Sequence, residues 1–154
     1  YDGRITGRDG DQSSLYPSFD PSYMAALGPL AATMNAYVRE ELAFENDLPY
    51  KTLTGVHPWK YEENTYSSTA ADLASAMSKN PHLRVLVMTG RCDLAVPPDA
   101  MRHSINHLEI DPLIRANVSF TEYESGHMMY LNSPDLKKLG HDVAEFIDSG
   151  PVND

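Results

Sequence analysis

From Pro21 to Phe44, apolar side chains recur at every third or fourth position: Met24, Leu27, Leu30 with Ala31, Met34, Tyr37 with Val38, and Leu42. That spacing places them on one stripe of an α-helix. Gly28-Pro29 interrupts the stripe, and proline is favoured at the first helical position. The pattern therefore predicts a short turn near 21–27 and then a helix from about Pro29 to Phe44. Residues 1–20 carry no sustained apolar period, are rich in Gly, Asp and Ser, and read as loop wrapped over something absent from this chain. Pro49–Thr54 reads as a short strand, and His57-Pro58-Trp59-Lys60-Tyr61 as a loop carrying large rings.

Beyond residue 67 the pattern changes. Ser67 and Ser68 offer a cap for a helix with Leu73, Ala76 and Met77 on one face, ending at Asn80-Pro81. Val85–Met88 is a short, β-branched apolar run of the kind that forms a buried parallel strand. Pro97-Pro98-Asp99 starts a helix to about Leu108, and Val118–Tyr123 is a second strand. Ser133-Pro134-Asp135 starts a last helix with stripe Leu136, Leu139, Val143 and Phe146/Ile147, closed by Gly150-Pro151. The alternation α-β-α-β-α predicts an α/β fold, with parallel strands and helices on both faces. The expected division is residues 1–67 as a loop and helical, lid-like segment, 68–150 as the α/β part, and 151–154 as a tail. A sheet of two strands leaves an edge uncovered. The chain is expected to need missing upstream sequence, a second copy or a rearranged packing to cover it.

Composition narrows the class. With 42% apolar and 22% charged residues the chain is globular rather than disordered. A formal charge of −10 argues against a nucleic-acid or anionic-membrane surface, which would need clustered Lys and Arg. No stretch approaches the roughly 20 apolar residues of a membrane span. One cysteine, Cys92, excludes an internal disulfide framework. That fits a reducing cytosol and equally a secreted or periplasmic bacterial protein. The start, Tyr1-Asp2-Gly3-Arg4, has neither Met nor a signal-peptide layout, so any targeting signal is expected in sequence upstream.

The candidate chemistry lies at the two strand ends. The first strand runs into Thr89-Gly90-Arg91-Cys92-Asp93, the second into Glu124-Ser125-Gly126-His127-Met128-Met129-Tyr130. In parallel sheets, ligands and chemistry gather outside the carboxyl ends of strands, so Asp93 and His127 can meet in one crevice. Asp then His, 34 residues apart, is the order of the last two members of an α/β-hydrolase triad. The first member is not here: no Gly-x-Ser-x-Gly occurs in the 154 residues, so the chain reads as the C-terminal half of such an enzyme. His127 would shuttle the proton, and Asp93 would hold its tautomer. The plainer readings are a surface histidine and a turn aspartate before Pro97-Pro98. Cys92 is badly placed as a nucleophile beside the acid and reads as a small buried filler. His103 and His107 share a helix face at zinc-ligand spacing, but no Glu follows the first and no third ligand is positioned. They read as an incidental exposed pair, so neither a metal nor a cofactor is expected. Trp59, Tyr61 and Tyr66 read as packing rings. Met128-Met129-Tyr130 is the better pocket candidate.

With Val85–Pro97, Tyr123–Tyr130 and the helix Leu136…Leu139…Asp142…Phe146-Ile147 in view, the chain resembles the C-terminal portion of bacterial serine carboxypeptidases, the peptidase S10 family. Gly126-His127-Met128 is the sharpest element. Tyr1-Asp2-Gly3-Arg4, Tyr37-Val38-Arg39 and His57-Pro58-Trp59 agree more loosely. The resemblance implies an α/β-hydrolase that releases C-terminal residues from peptides, with Asp93 as triad acid, His127 as triad base and Met128 in the pocket for the leaving residue. It also implies that the nucleophilic serine and oxyanion hole belong to upstream sequence, so this chain alone is expected to be inactive. Two other readings stay open: another α/β-hydrolase such as an esterase or lipase, and a catalytically dead interaction domain on the same scaffold.

Overall fold

The computed structural model describes residues 1–10, 13, 15, 19–48, 50, 52, 64 and 68–150. It divides into two compact units, residues 5–65, and residues 1–4 together with 66–154.

In the first unit, helix α1 spans Pro21–Ala36 and runs directly into a π-helical turn, Tyr37–Glu41. The expected break at Gly28-Pro29 does not occur. Asp20 sets the start eight residues earlier, its carboxylate accepting from the N–H groups of Ser22 (2.8 Å) and Tyr23 (3.2 Å), with Pro21 at the first position. A strong cap at that end, with a proline already shaped for the first turn, outweighs the one backbone hydrogen bond that Pro29 forfeits inside the helix. The π-turn closes at Ala43, which takes a left-handed φ of 50°. Only Ser22 and Ala26 are buried on α1, while Met24, Leu30 and Met34, and Tyr37 of the π-turn, are exposed. A cleft of about 460 Å³ opens in this unit, walled by Val38, Phe44, Leu48 and Tyr50 with Asn35, Arg39 and Asn46. Of the strand expected at Pro49–Thr54, only Tyr50 and Thr52 are described, and neither lies in a strand. The ring-bearing loop His57–Tyr61, Tyr66, the Ser67 cap and the tail 151–154 lie outside the described residues.

The second unit is α/β. Helix α2 (Ala70–Lys79) precedes strand β1 (Val85–Gly90), helix α3 (Pro98–Asn106), a single turn α4 (Pro112–Arg115), strand β2 (Val118–Tyr123) and helix α5 (Ser133–Asp148). The strands pair in parallel, Val85 opposite Val118 through Gly90 opposite Tyr123. Because side chains alternate along a strand, this register stacks Val85 and Val87 with Val118 and Phe120 on one face. There Val87 is buried with Ile105 and Leu108, and Leu73, Ala74 and Met101 of the neighbouring helices pack around them. Among the described residues this is a sheet of two strands, and Met88 on β1 is 37% exposed.

Helix α5 covers the opposite face with Leu139, Val143 and Phe146 of the expected stripe, but not with its ends. Leu136 and Ile147 are largely exposed, and buried Asp135 with half-buried Leu139, Asp142, Val143 and Phe146 turns inward instead. Polar partners make this possible. Asp142 accepts from the Thr121 hydroxyl (2.9 Å), the Tyr123 phenol (2.9 Å) and the Lys138 ammonium (2.6 Å), and Asp135 accepts from the Asn132 amide (2.9 Å). A carboxylate answered by several donors can be buried where an unpaired one could not. Arg84 fastens the far end of α5 to the start of β1. Its guanidinium donates to the carbonyls of Phe146 and Gly150 and to the Ser149 hydroxyl, and lies 4.2 Å over the Phe146 ring. A cation beside the last carbonyls of a helix is favoured by the helix dipole.

Candidate functional site

Both strands deliver their following loops to the same rim of the sheet. The parallel ladder continues past the strands: the Arg91 N–H donates to the Tyr123 carbonyl (2.8 Å) and the Cys92 N–H to the Ser125 carbonyl (2.9 Å). Gly90 allows this approach, and Gly126 allows residues 1 and 2 to close on the second loop. A Cβ at position 90 would lie 2.2 Å from the Gly126 carbonyl oxygen, and a Cβ at position 126 would lie 2.5 Å from atoms of Tyr1 and Asp2. Neither glycine is needed for a left-handed φ; both are needed for space.

On this frame the expected pair meets. The Nδ1 of His127 lies 2.8 Å from Oδ2 of Asp93, whose side chain is 5% exposed against 40% for the imidazole. The other carboxylate oxygen, Oδ1, accepts from the N–H groups of Ala95 (2.8 Å) and Val96 (2.9 Å). One oxygen therefore serves the turn and the other faces the imidazole. With the Asp93 oxygen as acceptor, Nδ1 is the donor of this hydrogen bond, and Nε2 is the ring nitrogen turned away from Asp93. Among the described residues no hydroxyl or thiol is hydrogen-bonded to that Nε2. The imidazole is thus held on its Nδ1 side by a buried carboxylate and is itself partly open to solvent.

The other candidates fall as follows. Met128, half-buried, directly follows the histidine at the head of a 3₁₀ turn, Met129–Leu131, in which Tyr130 is 49% exposed. Cys92 is a free, half-buried cysteine. The rings of His103 and His107 stack with centroids 4.0 Å apart, and His107 Nδ1 is taken up by the His103 carbonyl at 2.7 Å. Among the described residues no group of three His, Cys, Asp or Glu stands ready to hold a metal.

Sequence reasoning did not foresee the role of the first four residues, which read as loop. They lie against the two strand-end loops: the His127 N–H donates to the Tyr1 carbonyl (2.8 Å), and the Gly3 N–H donates to the Cys92 carbonyl (2.9 Å). The signal for this was slight, a short polar segment whose partners lie about ninety residues or more away. Charge is also organised at this rim. Arg4, hydrogen-bonded to Asp2, holds that carboxyl down from 3.8 to about 2. Arg91 bridges Glu122 (3.0 Å) and Glu124, and its hydrogen bond lowers the Glu122 carboxyl below the usual range. Beneath it, burial and then the hydrogen bond to Asp142 push the Tyr123 phenol from 10.0 up to about 12. Neither a protein-family model nor a curated protein matches the sequence.

Proposed function

We propose that this chain is the C-terminal part of an α/β-hydrolase of the serine carboxypeptidase kind, supplying the acid and the base of a Ser–Asp–His triad. The observation that carries the reading is the 2.8 Å approach of His127 Nδ1 to a buried Asp93, past the ends of adjacent parallel strands. Order, spacing and the partly exposed imidazole all suit a base waiting for a hydroxyl.

The chemistry is acyl transfer. His127 Nε2 takes the proton of a serine supplied by upstream sequence, and the serine oxygen adds to the scissile carbonyl. The resulting imidazolium is stabilised by Asp93, and His127 then returns the proton to the departing amine. Water, activated by the same nitrogen, hydrolyses the acyl-enzyme. Met128 lies beside the leaving residue in this reading. The oxyanion donors belong to the part that brings the serine. A peptide is the substrate, and the chain alone is inactive, because losing the nucleophile removes on the order of 10⁶ in turnover.

The test pairs this chain with the upstream polypeptide of its gene, which should carry Gly-x-Ser-x-Gly. A fluorophosphonate should leave the chain alone unmodified and label the serine of the completed protein. Free peptides should then lose C-terminal residues while C-terminally amidated ones resist. Equal cleavage of both, or ester hydrolysis alone, would replace the peptidase with another hydrolase. Modification of this chain by itself would overturn the assignment of roles. Absence of labelling with both parts present would leave an inert scaffold domain.

A further inference from the structure

Tyr1–Arg4 makes four hydrogen bonds to the two catalytic-looking loops. Gly3 donates its N–H to the carbonyl of Cys92 at 2.9 Å, on the loop after β1. The other three bonds go to the loop after β2. His127 donates its N–H to the Tyr1 carbonyl (2.8 Å), Gly126 donates its N–H to Asp2 Oδ2 (3.1 Å), and Arg4 donates Nη1 to the Glu124 carbonyl (2.7 Å). Asp2 is itself held. Its Oδ1 accepts from the backbone N–H and the Nε of Arg4, both at 3.0 Å, and its Oδ2 accepts from Nη2 at 2.7 Å. The Tyr1 ring lies 5.3 Å from the imidazole, centroid to centroid.

We propose that Tyr1–Arg4 is a positioning clamp for the imidazole of His127, with Asp2 as its central residue. A strap that only stabilised the fold could bind anywhere along the strands. This one binds the backbone at Gly126 and His127 and, through Gly3, the residue next to Asp93. It therefore fixes the two chain segments whose separation sets the Nδ1–Oδ2 distance. The absence of a Cβ at Gly126 lets Asp2 and the Tyr1 carbonyl close onto the loop. The catalytic benefit rests on the triad reading above, but the geometric effect can be measured without it.

The measurement is made on the full chain carrying ¹⁵N-labelled histidine. Wild-type His127 should be present almost wholly as the Nδ1–H tautomer, with that proton in slow exchange with water. Asp2→Ala should speed the exchange about tenfold or more and mix the tautomers. Asp2→Asn keeps an oxygen for Gly126 without the ion pair and should restore most of the wild-type behaviour. Asp142→Ala removes hydrogen bonds on the opposite, α5 side of the sheet and should lower the melting temperature without altering His127. If Asp2→Ala does not fold, Arg4→Ala takes its place, with about threefold faster exchange expected. A wild-type signature in Asp2→Ala, or an equal change in Asp142→Ala, overturns the clamp. Asp93→Asn separates the two failures. If it abolishes the signature while Asp2→Ala does not, only the clamp fails. If wild type lacks the signature, the triad reading and the clamp fail together.

Discussion

Replacing Gly90 by alanine is the sharpest perturbation of the junction on which the site rests. The added methyl would sit 2.2 Å from the Gly126 carbonyl oxygen and 2.6 Å from that of Ser125. Both obstacles are backbone, so no side chain can swing aside. Restoring ordinary contact requires the loops to part by roughly 1 Å. At that separation the Cys92–Ser125 hydrogen bond, now 2.9 Å, is lost, at a cost of about 1 kcal/mol. Strain from the excess volume adds about 1–3 kcal/mol. The sum, about 2–4 kcal/mol, corresponds to a fall in melting temperature of roughly 5–15 °C for a chain of this size. Asp93 and His127 ride on the two loops, so in the completed enzyme turnover should drop by about a hundredfold, as expected for a misplacement near 1 Å. Thermal melting by circular dichroism and the ¹⁵N histidine spectrum read the two effects separately. A Gly90→Ala chain that melts within about 1 °C of wild type and keeps the Nδ1–H tautomer would refute the close-approach argument.

Arg84→Ala should cost about 1–2 kcal/mol, since it removes the bonds to the last carbonyls of α5 and the stacking on Phe146; denaturant unfolding followed by helical ellipticity checks this. Tyr123 contributes stability that is complete below its unfolded value near 10 and is lost as pH rises towards about 12. A Tyr123→Phe chain should lack that alkaline decline, worth on the order of 1–2 kcal/mol, in melts from pH 9 to 12. Asp2 works at the other end. Its folded value of about 2 lies below the ordinary 3.8, so its contribution is present above pH 4 and lost as pH falls through about 2. Screened by solvent, that contribution is about 1 kcal/mol, and it should vanish in Asp2→Asn when acid titrations of the two chains are compared.

How far the sequence foretold the structure depends on where each element's signal resides. β2 falls at Val118–Tyr123 as expected, and β1 contains the expected run, because a short β-branched stretch between turn residues has few other uses. The approach of Asp93 to His127 followed from the same two strand ends. Helix α1 was misjudged at Pro29 because proline's penalty is a single local cost, whereas the Asp20 cap and Pro21 fix the start of the helix independently. The inward face of α5 departs from the expected stripe at Leu136 and Ile147, because apolar periodicity cannot register that Thr121, Tyr123 and Lys138 give half-buried Asp142 its partners. The single turn Pro112–Arg115 carried only an Asp-Pro start, with Asp111 accepting from the Leu113 N–H at 2.8 Å. Tyr1–Arg4 had no period at all. Its meaning lies in hydrogen bonds to residues 92 and 124–127, which no local pattern encodes.

The most direct test of His127 as the base is turnover by the serine-bearing protein with His127 replaced by alanine, measured against His107→Ala as a surface-histidine control. A base that takes the serine proton predicts a loss of at least about 10⁴-fold in kcat for His127→Ala and no change for His107→Ala. Turnover within a few-fold of wild type in both variants would contradict the assignment of His127 as the base.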